Sequence, residues 1–195
     1  MQFRGAIAGV GSTSGVRVVV GRWDESPYGA FADAMVETVS GHRVLLAPTA
    51  EVADFVAATY SFDEVRIEPV AVDGWSVRSG SLTLDLTVGD RTPLGWLLRL
   101  VPRRVAESTW WCSITDPVAR VVLRGVRTRG SAKDGRLEWY GATDVRTVEA
   151  MTGTFDGSDL GALAPVHPAP GFGFSSTPPR PSVTDLVTTV RPDAR

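Results

Sequence analysis

Cysteine, lysine and histidine are almost missing from this chain of 195 residues. It has one cysteine, Cys112, one lysine, Lys133, and two histidines, His42 and His167. A single thiol excludes an internal disulfide and a cysteine-based metal cluster. The two imidazoles have no His or Cys at ligand spacing, so no metal site and no cofactor is expected. Long hydrophobic runs are absent too. The best candidate, "PLGWLLRLVP", is interrupted by Arg99 and falls short of the roughly 18–20 apolar residues of a spanning helix. The start, "MQFRGAIAGV", is too short and too glycine-broken to serve as a secretory h-region. Charge of one sign is also lacking. The net charge is −2 and the basic residues are scattered, which gives no electrostatic footprint for nucleic acid or an acidic membrane. These absences predict a cytoplasmic protein with a buried free thiol.

The shortage of lysine has a chemical meaning. Arginine stays protonated and cannot act as an amine nucleophile, whereas lysine can once its pKa is depressed. Lys133 lies in "SAKDG", between "VRTR" and the alternating "RLEWYGATDV". Small residues and Asp-Gly are turn chemistry, so Lys133 is expected at a solvated hairpin tip with an ordinary amine.

What the chain does have is period-two patterning. "SLTLDLTV" sets Leu82, Leu84, Leu86 and Val88 on one face and polar residues on the other, as a half-buried strand requires. With "DGWSVRSGS" before it, residues 75–88 read as a hairpin. Further strands are predicted at 2–9, 15–22, 30–38, 64–72, 136–148 and 183–190. Helices are few. Thr49 caps "PTAEVADFVAATY", with Glu51 in its first turn. Thr92 and Pro93 open a second helix, and Asp116 and Pro117 a third. Residues 152–182 are rich in Gly, Pro and Ser, but Phe155, Leu160, Leu163, Phe172 and Phe174 are spaced as anchors of an ordered covering loop. The expected fold is α+β, mainly antiparallel β, in one domain over 1–195: a barrel or strongly bent sheet with a few covering helices.

Two motifs invite chemistry. "GVGSTSG" resembles a phosphate loop, but the strand-like "VRVVVGRW" follows where a helix is needed, so a hairpin turn is expected. Asp33 and Glu37 alternate with Ala34 and Val36 and share a face with Phe31 and Met35. The pattern fits either orientation: pointing into a barrel, the two carboxylates would enter an apolar interior and their pKa values would rise; because unpaired buried carboxylates are costly, solvent is the favoured side.

Taken in order, several segments resemble the acetoacetate decarboxylase superfamily. They are "SPYGAF", "HRVLLAPTAEVADFVAATYSFDEVRIEPV", "GWSVRSGSLTLDLTV", "ATDVRTVEAMTG", "LAPVHPAP" and "SVTDLVTTV", spanning about residues 25–190. The resemblance implies a swollen antiparallel barrel with a central ligand cavity. The family's Schiff-base lysine follows an aromatic-proline turn. Here that turn reads Tyr60-Ser61-Phe62-Asp63-Glu64-Val65, with Asp63 in place of the proline and Glu64 and Val65 in place of the lysine pair. The acid expected soon after Tyr28 is replaced by Gly29 and Ala30. Both departures imply that lysine-dependent decarboxylation is missing.

The resulting expectation is a barrel protein that binds a small organic molecule. Glu64 is the candidate acid/base group, and Tyr28, Arg43, Phe62 and Arg66 are the candidate ligand contacts. The alternative for Glu64 is a surface glutamate paired with Arg66. A second function class is a structural or interaction module, its barrel filled by side chains and its "LGWLLRLV" and "TWWC" segments forming an apolar contact between copies. An interior void below roughly 100 Å³, against the 300–1,000 Å³ of ligand sites, would favour that class. A lipocalin-like binder of an apolar ligand accounts poorly for the helix-turn unit at 49–65.

Overall fold

The structure is a computed structural model. It describes residues 1–106, 108, 110–112, 129–131, 137–173 and 178–191. The predicted helix at "TDPVARVVL" and the predicted turn around Lys133 lie outside these residues.

The chain opens with two long antiparallel strands, β1 (Gln2–Ser12) and β2 (Arg17–Glu25). The turn between them closes through Gly15, whose φ of +85° suits glycine and almost no other residue. "GVGSTSG" is therefore a hairpin turn. Next come β3 (Phe31–Glu37), antiparallel to β2, and β4 (Arg43–Ala47), antiparallel to β3. Helix α1 (Ala50–Ala57) crosses over to β5 (Glu64–Ile67), which lies parallel to β4. The Thr49 hydroxyl caps α1 by accepting from the Val52 N–H at 3.3 Å, and Val52, Ala53 and Val56 form its buried face.

The predicted strand at 64–72 is two strands. Pro69 has no N–H for a ladder and separates β5 from β6 (Ala71–Asp73). The expected hairpin follows as β7 (Ser76–Arg78) and β8 (Leu82–Arg91), with Leu82 and Leu84 fully buried as their alternation demands. Helix α2 (Pro93–Arg99) starts at the Thr92 cap and is held to the sheet by Arg91, which stacks on Trp96 and pairs with Asp144 at 2.8 Å. A short helix α3 (Arg103–Ala106) and strand β9 (Arg129–Ser131) lead to β10 (Leu137–Phe155). At 19 residues β10 runs well past the predicted 136–148. Its register shifts near Ala142, Arg146 and Val148 are bulges, which let so long a strand bend. Two-residue strands β11 (Ser158–Asp159) and β12 (Leu163–Ala164) precede the last strand, β13 (Ser182–Arg191).

These strands form one sheet in the order β5-β4-β3-β2-β1-β13-β10-β8-β7-β6, a curled, mixed half-barrel with few helices. One face is the inside of the curl. There Ala6, Ala8, Val18, Val20, Ala34 and Leu46 meet Val77, Leu82, Leu84 and Phe155 from the opposite end of the strand order. Side chains, not ladder bonds, draw the two ends together. Glu68 accepts from the Ser79 hydroxyl, and from the Ser81 N–H and hydroxyl at 2.9 Å each. Arg66 donates to Ser81 at 2.9 Å and to Asp156 at 2.5 Å. The other face of the β1–β4 region is covered by α1, which packs Val52, Ala53 and Val56 on Leu45 and Ala47.

Candidate functional site

The inside of the curl is filled by aliphatic side chains, and the chamber lies on the other face. Its floor comes from alternate residues of β1, β2 and β3 (Phe3, Ile7, Gly21, Trp23, Phe31 and Asp33) and its roof from Phe55, Val56 and Tyr60 in and after α1. Glu138 and Tyr140 of β10, with Thr188 of β13, complete the wall. Its volume is about 50 Å³. At roughly 10–15 Å³ per water on this measure, it has room for a few waters or a few organic heavy atoms.

Asp33 is the central group. It is 4% exposed, and its only hydrogen bond among the described residues comes from the Trp23 indole, whose Nε1–H donates to Oδ1 at 2.9 Å. Burial penalises the carboxylate more than this one bond supports it, so its pKa rises to about 7. Gly21 makes the arrangement possible. A Cβ there would sit 2.5 Å from Asp33 Oδ1 and 2.7 Å from Trp23 Nε1, so only glycine leaves both groups in place.

Across the chamber Tyr140 donates to Glu138 at 2.8 Å, and the Tyr60 hydroxyl bonds that of Tyr140. Donation by Tyr140 to Glu138 assigns the remaining direction: Tyr60 donates to Tyr140. Desolvation, with the acidic neighbours, holds both phenols far above their ordinary pKa, so they are neutral donors. Thr188 adds a buried hydroxyl that has no hydrogen-bond partner among the described residues. The chamber thus combines aromatic walls, two carboxyl groups, two phenols and an orphaned hydroxyl.

The orientation expected for Asp33 and Glu37 is corrected: both are buried, at 4% and 7% exposure. Both faces of β3 are covered, Ala32, Ala34 and Val36 by the curl and the odd-numbered residues by the α1 side. Glu37 is compensated by Arg17 at 2.5 Å and by the Gly171 N–H at 2.5 Å. Asp33 has no such cation among the described residues.

The residues singled out in the sequence lie elsewhere. Glu64 is not among the chamber's lining residues. Its half-exposed carboxylate meets Arg66 at 2.7 Å and His42 at 3.1 Å, and these two hold its pKa down to about 2. It is thus ionised and engaged in the surface pairing with Arg66 that was the alternative for it. Arg66 links Glu64 to Asp156 at the seam of the curl. Arg43 is bound to Asp63 through two nitrogens, at 2.8 and 2.9 Å, and donates to the Gly171 carbonyl at 3.1 Å. Phe62 packs on Phe172, with ring centroids 5.7 Å apart. Arg43 and Phe62 therefore fasten the 171–173 loop beside the roof. Tyr28 supports the chamber from behind, packing on Phe3, Phe31 and Phe55.

Cys112 is buried, and desolvation pushes its thiol up to about 11, so it is not a poised nucleophile. Among the described residues no group of three or more His, Cys, Asp and Glu could hold a metal, and no helix is long and apolar enough to cross a membrane. Trp96, Leu97 and Leu100, in and just after α2, are exposed, as is Trp110.

Compared with protein-family models, with curated proteins and with solved structures, the chain finds no match in any of the three.

Proposed function

We propose that this chain is a small-molecule-binding protein built on a curled half-barrel, its ligand held between the sheet and α1 and not in the central cavity that the acetoacetate decarboxylase resemblance implies, and working without that family's imine chemistry. One observation carries the reading: Asp33 and Thr188 present buried, under-satisfied polar groups to a chamber roofed by α1. Buried polar groups cost free energy unless something pairs with them, so a chamber built this way favours an occupant. At about 50 Å³ it admits a compact molecule, or the end group of a larger one. The turn after α1 supplies Asp63, Glu64 and Val65, none of them an amine, and no lysine lines the chamber among the described residues.

The negative half is tested by incubating the protein with acetoacetate and borohydride. No CO₂ release above background and no mass increment are expected, and a trapped adduct would refute it. The positive half is tested by ligand-observed NMR with a set of very small fragments, with Asp33→Asn as the comparison. Saturable binding that this substitution abolishes is expected.

A second reading, a side-chain-filled scaffold, is favoured by size. The curl's interior is packed, and about 50 Å³ is far below the roughly 300–1,000 Å³ of ligand sites. On that reading only water enters the chamber, and the exposed Trp96, Leu97 and Leu100 meet a second copy of the chain. A dimer by light scattering that Leu97→Ser dissociates, together with no fragment binding, would establish it in place of the first.

A further inference from the structure

We propose that the chamber binds a compact alkylammonium cation, its charge set against Asp33, an N–H on the Thr188 hydroxyl, and its alkyl part against the aromatic walls. The inference rests on the small-molecule reading above and names the ligand class for the same site.

The lining decides between charge types. Two carboxyl groups, Asp33 and Glu138, face the chamber, and no arginine, lysine or histidine lines it among the described residues. Among the described residues an anion would meet Asp33 and find no cation lining the space. A purely apolar guest would leave Asp33 with only its indole bond and Thr188 with none, at the cost of buried unpaired polar groups.

A cation is served by the polar and aromatic parts of the wall. Phe3, Trp23, Phe31, Phe55, Tyr60 and Tyr140 all line the space. Phe3 is the hub of this group, 4.8 Å from Phe55, 5.8 Å from Trp23 and 6.5 Å from Phe31 between ring centroids. Aromatic faces within about 6 Å attract a cation through the ring quadrupole, and most strongly when it is desolvated. The Thr188 oxygen, buried and without a partner, offers its lone pairs as an acceptor.

The same wall argues against a bare metal ion, because hard cations take six or more oxygen ligands and aromatic carbon supplies none. Size restricts the guest to a few heavy atoms, the range of methylammonium and ethylammonium, or to the ammonium terminus of a longer amine. The chamber is not sealed, and its rings Trp23, Phe31, Phe55 and Tyr60 are only partly buried, which leaves a way in.

The Trp23 indole reports on the site, because its N–H is bonded to Asp33. The experiment titrates ¹⁵N-labelled protein at constant ionic strength with methylammonium, ethylammonium, ethanol, acetate and potassium chloride. The Trp23 indole resonance is assigned through Trp23→Phe. A pH near 8 keeps Asp33 mainly ionised beside Trp23, Tyr60, Glu138 and Tyr140, and keeps the amines charged, since their pKa is about 10 like that of lysine.

The expected result is a saturable shift with the two ammonium ions, at least tenfold weaker in Asp33→Asn, and weakened in Thr188→Val if Asp33→Asn does not fold. Equal or tighter binding of ethanol, acetate or potassium would overturn the cation inference while leaving a small-molecule site. No saturable shift with any probe would overturn both.

Discussion

Asp33 shows what one residue in an unusual setting does to the whole chain's stability. Its pKa is about 7 in the fold, because burial outweighs the Trp23 hydrogen bond, against about 3.9 in an unfolded chain. Between those values the folded chain keeps a proton that the unfolded chain has lost. The stabilisation tied to that proton is complete below about pH 4 and drains away as pH rises toward 7. Asp33→Asn removes the titration, so its stability relative to the parent should climb with pH across this window. The climb reaches about 4 kcal/mol, from three pH units at about 1.4 kcal/mol each. Urea denaturation at pH 4.5 and pH 8 checks this; an unchanged difference would mean that Asp33 ionises normally in the fold. Gly21 gives the companion test. A methyl group at Gly21 would press on both Asp33 and Trp23, so Gly21→Ala should cost about 1–3 kcal/mol by overpacking. It should also displace the Trp23 indole resonance, which a substitution with no steric consequence at the site would leave in place. Neither effect is visible in the chain's pattern. Alternation placed Asp33 and Glu37 together with Phe31 and Met35, but a strand covered on both faces looks the same as one covered on a single face. The expected cost of burial was correct in kind. Arg17 meets it for Glu37, and for Asp33 the raised pKa does.

Local elements were legible where one physical rule dominated. The Thr49 and Thr92 caps, Pro93 at a helix start and the Leu82–Leu84 alternation all appear as read, because capping and period-two burial act over a few residues. Pro69 marks a break in the predicted strand 64–72, because it has no N–H for a ladder bond. The end of β10 was harder. Its bulges shift which residues face inward, so the alternation loses phase after Ala142 and conceals a strand that continues to Phe155. The candidate site fared worst for the same reason. Tyr60, the Glu138–Tyr140 pair and Thr188 come from three separate places in the chain; β10–β13 pairing sets Tyr140 opposite Thr188, and Tyr60 joins them because α1 folds back over the sheet. Glu64 stands on β5, whose charged residues belong to the seam. Helix α1 is therefore the element on which the chamber depends. Thr49→Ala removes the acceptor of the Val52 N–H and should cost about 1 kcal/mol. If α1 is the roof, the loss should also raise amide exchange at Val56 and Tyr60 above that of β1 and β2. Uniform change across the chain would show the helix and the sheet opening as one unit.

At the scale of the whole molecule, the curl has a ladder everywhere except at its seam. Strand pairing runs unbroken from β5 to β6 through ten strands, and then stops. The gap is bridged by Glu68, which accepts from Ser79 and Ser81, and by Arg66, which reaches Ser81, Asp156 and the face of Phe155 at 5.5 Å. This arrangement explains why charged and hydroxyl side chains gather on short strands that contribute little apolar burial. They replace the backbone hydrogen bonds that a closed barrel would have, and they keep two edges from pairing with other chains. Such a closure is weaker than a ladder and should open first. Glu68→Ala removes three accepted bonds at once and should lower stability by about 1–2 kcal/mol, the partial exposure of the site moderating the loss. The informative readout is where protection is lost. Amide exchange should rise at Ser81 and along β5 to β7, while Ala6, Val18 and Val20 on the far side of the curl stay protected. Should those distant strands lose protection equally, the curl would be a single cooperative body, and the seam would be no more than surface pairing.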